Sequence, residues 1–224
     1  MVANSVTGVS GMAQLIRSRR RSLVHWERKL YHCLMGTACF FLYAFFLDRN
    51  QALWALGTVG GVLVVGDVLR FRFPLLNGLV VKYFGPVMRR EQLKGPSAST
   101  YYVIALTLLT VFFPKPTVLI SVLLLAFGDS AASLVGTQWG RRRVFGGKTV
   151  EGAAANFLAS LLVVYLAARF YFGLSAADGL LLGWVSALAS VVMEILPLPV
   201  DDNLSLPIGS AVILTLFLRF IPLF

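Results

Sequence analysis

The chain has 224 residues, 58% of them hydrophobic and only 13% charged. That balance excludes a soluble domain and indicates a polytopic membrane protein with no length left over for a second globular unit. A net charge of +10 would point to nucleic acid in a soluble protein. Here the positive-inside rule and anionic lipid headgroups account for it, so no nucleic-acid partner is expected.

Residues 1–24 read as a small, polar and basic tail, largely disordered, with Arg17 and Arg19–Arg21 at a membrane surface. No short apolar run with a small-residue cleavage site follows them, so a cleavable signal is not expected. Residues 25–224 form a single transmembrane domain. Seven apolar runs follow: Leu30–Leu47, Ala52–Leu69, Tyr101–Phe113, Val118–Thr137, Val150–Phe172, Ala177–Leu196 and Leu204–Phe220. All but the short third approach the roughly 20 residues that a hydrocarbon core requires. The fold class is therefore all-α, with about seven transmembrane helices. Gly57 and Gly61 in the second run have small-xxx-small spacing, which predicts helix packing there. The stretch 71–92 is interrupted by Pro74, Gly78, Gly85 and Pro86 and reads as an interfacial or re-entrant segment. Cys33 and Cys39, six apart on one helix, face different ways and are not expected to form a disulfide.

Seven spans place Arg17, Arg19–Arg21, Arg28, Lys29, Arg70, Arg72, Lys82, Arg89, Arg90, Lys94, Arg141–Arg143 and Lys148 on the side of the N-terminus, 16 of the 20 basic residues. That side is expected to be cytoplasmic. Eight of the ten acidic residues fall there too: Glu27, Asp67, Glu91, Asp129, Glu151, Glu194, Asp201 and Asp202. Ionisable groups in spans are costly and usually face a protein interior or a wet cavity. One cytoplasm-facing cavity, lined by carboxylates and ringed by Arg and Lys, suits Mg²⁺ or another divalent cation together with a polyphosphate.

The centre of this arrangement is Ala126–Gly152. Asp129 lies inside an apolar run, with Ser133 and Gly136 on the same helical face. Gly128, Ala132, Gly136 and Gly140 step by four, which leaves one side small enough for close backbone approach. Arg141, Arg142, Arg143 and Lys148 surround Gly146 and Gly147 in a basic loop whose backbone can offer N–H groups to a phosphate. Thr149 and Glu151 follow at the mouth of the next helix. Asp201-Asp202-Asn203 precedes the seventh span after Pro197 and Pro199; capping that helix needs one of the three, which leaves a carboxylate for metal or substrate. Further candidates are Arg28 and His32, four apart on one face, Asp67 and Arg70 at pairing distance along a helix, Lys94, Thr100 and Glu194.

These residues carry a resemblance. GDSAASLVG with the following KTVEG, then VDDNLSLPI, resembles the membrane kinases of lipid alcohols: the dolichol kinase, phytol kinase and CTP-dependent diacylglycerol kinase group. ERKLYH is similar to that family's N-terminal Arg-Lys-x-x-His element, and GPSASTYY to its loop before the third span. The resemblance implies transfer of the γ-phosphate of CTP to a lipid hydroxyl at the cytoplasmic face, with a divalent cation. It carries functional roles to Arg28, Lys29 and His32, to Asp129 and Ser133, to Lys148, Thr149 and Glu151, and to Asp201, Asp202 and Asn203. In the mechanism expected from this, Asp129 with Asp201 or Asp202 holds Mg²⁺ and Lys148 with the loop arginines neutralises phosphate charge. Asp129 or Glu151 orients or deprotonates the hydroxyl. KTVEG also resembles the related phosphatidate cytidylyltransferases, which make CDP-diacylglycerol, and they are the alternative. A lipid or ion transporter is a third, disfavoured because the polar groups gather at one side. The expected partners are a membrane lipid, a nucleotide and the bilayer, in a plasma membrane or endoplasmic reticulum.

Overall fold

The computed structural model describes residues 26–84, 92 and 95–220. The Arg17–Arg21 run and residues 85–91, 93 and 94 therefore lie outside the described residues. Everything described is helix and connecting turn. The helices are α1 (Trp26–Phe46), α2 (Arg49–Arg72), α3 (Pro74–Phe84), α4 (Ala98–Phe112), α5 (Lys115–Trp139), α6 (Val150–Phe170), α7 (Ala176–Ile195) and α8 (Asp202–Phe220). All but α3 and α4 are long and apolar enough to cross a bilayer, six among the described residues. The seven runs expected from hydropathy each become a helix, and the short third is the 15-residue α4. This is an all-α, multi-pass membrane protein.

Helix α5 is the central one. Its apolar window is 72% buried within the protein, against 11% for α2. Leu119, Ile120, Leu124 and Leu125 of α5 pack with Leu109, Val164, Leu182 and Leu214 of its neighbours in one cluster. Inside a membrane this packing is held by dispersion and close approach, since lipid is as apolar as leucine. The stripe of small residues on α5 supplies the approach. A Cβ on Gly128 would meet Ser160 Oγ at 2.5 Å and Asn156 Oδ1 at 2.7 Å. One on Gly140 would meet Thr149 Cγ2 at 2.6 Å, and one on Gly152 of α6 would meet the Ala132 carbonyl at 2.8 Å. The helix widens into π turns over Leu124–Asp129. On that widened segment α1 docks: Cys33 Sγ donates to the Ala126 carbonyl at 3.0 Å, and Gly36 lies directly against Ala126. Both cysteines are free thiols.

One expectation changes. A Cβ added to Gly57 or Gly61 would meet nothing within 4 Å among the described residues, so these glycines do not pack helices there. The glycine of α2 that does so is Gly60, against Val103 of α4 at 3.2 Å. In the interrupted stretch after span two, the described part is a short helix. Phe73 is extended, and Pro74 then begins the 11-residue helix α3. A proline at the first helical position costs no hydrogen bond. α3 is too short to span and leaves Leu75 and Tyr83 exposed.

The helices' polar ends sort into two sets. At one end, Asp48 caps α2 reciprocally with Gln51. Arg49 donates to the carbonyls of Thr110 and Val111, Lys115 to that of Leu47, and Tyr171 Oη to that of Ala44. These contacts satisfy helix-end carbonyls. The other end carries most of the remaining charges of the described residues and is taken up below. Gly128→Ala should lower stability in detergent by about 1–3 kcal/mol, the usual cost of overpacking, while Gly61→Ala should melt like the parent protein. Equal melting temperatures for both variants would show that α5 and α6 are not in this close contact.

Candidate active site

At the second end, four helices and a loop bring charged groups to one place. Asp129 sits on α5 about 15 Å of helix rise inside its Trp139 end. It is buried, and Lys29 of α1 meets its Oδ2 at 2.5 Å, itself only 3% exposed. One turn further along α5, Ser133 borders the same space. Lys148 reaches in from the α5–α6 loop to Glu194 Oε1 of α7 at 2.7 Å and Asp202 Oδ2 of α8 at 3.1 Å. Burial works to lower the pKa of Lys148, but Glu194 and then Asp202 outweigh it and hold the ammonium above the ordinary lysine range. Asp129, Ser133, Gly147, Lys148, Glu194 and Asp202 thus border a cavity of ≈ 170 Å³.

The loop that carries Lys148 is a tight reversal. Gly146 and Gly147 have φ of +66° and +79°, a pair of left-handed positions that only glycine adopts without strain. The turn closes with Lys148 N–H donating to the Phe145 carbonyl, and Val144 and Val150 N–H donate across it to Lys148 and Arg142 carbonyls. Thr149 caps α6 by accepting from Gly152 N–H at 3.1 Å. Glu151 accepts from the N–H groups of Arg141 at 3.0 Å and Arg142 at 3.3 Å. Its carboxylate shapes the loop, and it does not border the cavity. Arg141, Arg142 and Arg143 are exposed on the rim, outside the cavity wall.

The acidic pair divides. Asp201 Oδ1 accepts from both the backbone N–H and the side-chain amide of Asn203, at 2.9 and 2.7 Å, and its carbonyl starts α8. Asp202 faces Lys148. Among the described residues no group of three acidic, His or Cys side chains is close enough to hold a metal alone. Mg²⁺ needs only one or two carboxylates where phosphate oxygens complete its shell. Glu194 Oε2, buried and without a hydrogen-bond partner, Asp129 and Asp202 supply that much, so the residues fit a cation that arrives with a nucleotide.

The other described candidates do not line this cavity. His32 of α1 packs edge-on against Tyr102 at 5.4 Å, and Arg28 is half-buried on the same helix. Asp67 and Arg70 of α2 pair at 2.8 Å and together hold the segment before α4. Asp67 Oδ2 accepts from Ser97 N–H and Thr100 Oγ1, and Arg70 donates to the carbonyls of Gln92 and Gly95. Lys94 lies outside the described residues. The sequence reading missed Asn156, whose Oδ1 accepts from Ser160 and Ser190 beneath the cavity, all three fully buried. The signal was present: Asn156 and Ser160, and Ser186 and Ser190, are polar residues four apart in apolar spans.

The chain is 33% identical over 210 residues to the phytol kinase of Synechocystis sp., covering 90% of this chain and 83% of the relative. It belongs to the CTP-dependent lipid kinase family. Within the family, it is 29% identical over 170 residues to CTP-dependent diacylglycerol kinase 1 of Schizosaccharomyces pombe, covering 68% of this chain and 75% of that one. To its namesake in Saccharomyces cerevisiae it is 27% identical over 141 residues, 62% of this chain and 49% of that one, so the chain spans about half the length of that relative. No family model and no solved structure matches.

Asp67→Ala should cost about 3–5 kcal/mol, the penalty of leaving a buried arginine unpaired, and Asp67→Ala with Arg70→Met should recover much of it. Melting in detergent measures both. An Asp67→Ala protein as stable as its parent would show that the pair does not hold this segment.

Proposed function

We propose that the chain transfers the γ-phosphate of CTP to the hydroxyl of a membrane lipid alcohol, diacylglycerol or a prenol, at the cytoplasmic face. The observation that carries this is the cavity joining Asp129, Lys148, Glu194 and Asp202 at one end of a bundle of membrane helices. A cavity at that depth meets a headgroup-level hydroxyl and a water-soluble nucleotide together. The names of the relatives supply CTP and the lipid class. The excess of Lys and Arg at this end supports a cytoplasmic orientation.

In this reading the lipid oxygen attacks the γ-phosphorus. The bond from that phosphorus to the β-phosphate oxygen breaks, CDP leaves with the electron pair, and the hydroxyl proton passes to a carboxylate on the cavity wall. Lys148, held cationic by Glu194 and Asp202, stabilises the charge on the transferring group. Asp129, with Lys29 beside it, is the deepest carboxylate and faces the reacting end of the nucleotide. The glycine turn and the rim arginines receive the outer phosphates. A bound Mg²⁺ would be held by Asp129 and Asp202 and would supply charge neutralisation. Glu151 acts by positioning the loop.

Purified protein in liposomes, given CTP labelled at either the γ- or the α-phosphate, tests the reading. Label should enter lipid from the γ position only; entry from the α position would establish a cytidylyltransferase instead. Asp129→Asn and Lys148→Met should each lower kcat by about 10²-fold or more in protein that still folds. Full turnover in either variant would remove that residue from the mechanism.

A further inference from the structure

The active-site cavity is too small for a whole nucleotide. Its ≈ 170 Å³ falls below the roughly 300 Å³ at which ligand pockets begin. Carboxylates, hydroxyls, a lysine and small residues border it, and no aromatic side chain is among the described residues on its wall. Such a wall suits phosphates and offers nothing to the flat face of a base, which is left to bind outside the cavity. Phe145 stands on the loop that borders this space, two residues before Gly147 and three before Lys148. It is 74% exposed. Phe46, Phe112, Phe170 and Phe220 are comparably exposed, but each ends an apolar helix, where lipid can cover it. Phe145 belongs to no span and follows Arg141–Arg143. We propose that Phe145 is the platform on which the nucleotide base stacks, with the phosphates lying along the glycine turn to Lys148. The proposal rests on the kinase reading above and adds what holds the base.

The mount is rigid and the approach to it is open. Lys148 N–H donates to the Phe145 carbonyl, and Val144 N–H donates to the Lys148 carbonyl at 2.8 Å, so the chain is pinned on both sides of the ring. A ring fixed in this way loses little freedom when a ligand covers it. A Cβ on Gly146 or Gly147 would meet nothing within 4 Å among the described residues, which leaves room along the turn for a nucleotide. Arg141, Arg142 and Arg143 of the same loop are exposed, and a guanidinium there can pair with a phosphate or lie over the free face of the base. Stacking accepts every base, so Phe145 governs how tightly a nucleotide is held and leaves the choice of cytosine to other groups.

Two other aromatic side chains are rivals. Trp139, also exposed, ends α5, the place where aromatic residues anchor spans at a membrane interface. Tyr101 borders a second cavity of ≈ 360 Å³, which meets the first at Asp202. No residue of the glycine-turn loop is among those that border this second cavity. Phosphates at Gly147 and Lys148 therefore place the base nearer to Phe145, on the same loop, than to Tyr101.

Phe145→Ala should raise the KM for CTP about tenfold. The kcat and the KM for the lipid alcohol should stay within about twofold, the pattern of a contact made equally in ground and transition states. Phe145→Tyr should restore the parent values. Inorganic tripolyphosphate, which has no base, should inhibit the parent and Phe145→Ala with the same Ki. An unchanged KM for CTP in Phe145→Ala, whether or not Tyr101→Leu raises it, would overturn the proposal. So would a Ki for tripolyphosphate that rises along with the KM for CTP, which would show a disturbed loop, or a rise in the KM for lipid alone, which would place the ring in the membrane. Calorimetric binding of CTP in detergent requires no turnover and separates this proposal from the reading it rests on. A Kd for CTP that rises in Phe145→Ala, in a protein that moves no phosphate to lipid, would keep the base platform and reject the kinase reading.

Discussion

A carboxylate buried among membrane helices is costly unless a cation meets it. Asp129 is such a group, and Lys29 of α1 is its cation at 2.5 Å. The pair fixes more than two side chains. It docks α1 on the widened turns of α5, where Cys33 reaches the freed carbonyl of Ala126 and Gly36 lets the backbones touch. It also sets the depth of the cavity, since Asp129 is its innermost wall. The small residues of α5 then bring α6 close enough for the loop before it to deliver Lys148 over that wall. Charge pairing inside the membrane and close backbone approach are thus one construction: Lys148 would not reach the cavity if α5 and α6 stood a side chain further apart.

The helices were legible because a bilayer imposes length and apolarity on each span, and the runs ending at Leu47, Leu69 and Phe220 reappear within a few residues as α1, α2 and α8. The small-residue stripe beginning at Gly128 was legible for the same reason, as a periodicity on a single helix. Gly57 and Gly61 show where that reasoning stops. Spacing identifies a face that could pack, but the partner of α2 approaches at Gly60, against Val103 of α4, a contact invisible in one helix's pattern.

The site was legible as a set of residues and not as a set of contacts. Asp129 stood out because a charge in an apolar run demands an explanation. Asp67 and Arg70 stood out because they are one turn apart. The partners of Lys148 could not be read, because Glu194 and Asp202 lie 46 and 54 residues away and meet it only after three elements converge. Glu151, one turn from Lys148 in sequence, turns outward to the loop backbone once the Gly146–Gly147 reversal forms. Neighbours in sequence were separated by a turn, and strangers were joined by packing.

Two carboxylates side by side, Asp201 and Asp202, perform two different tasks because a helix start can use only one of them. Asp201 takes the capping geometry with Asn203, which fixes the backbone of the first turn of α8. That fixed backbone aims Asp202 the other way, toward Lys148 and the boundary between the two cavities. A carboxylate at such a boundary needs a rigid mount, because displacement of about 1 Å at a reacting centre costs orders of magnitude in rate. The cap supplies that mount, so the residue that starts α8 governs the one that faces Lys148.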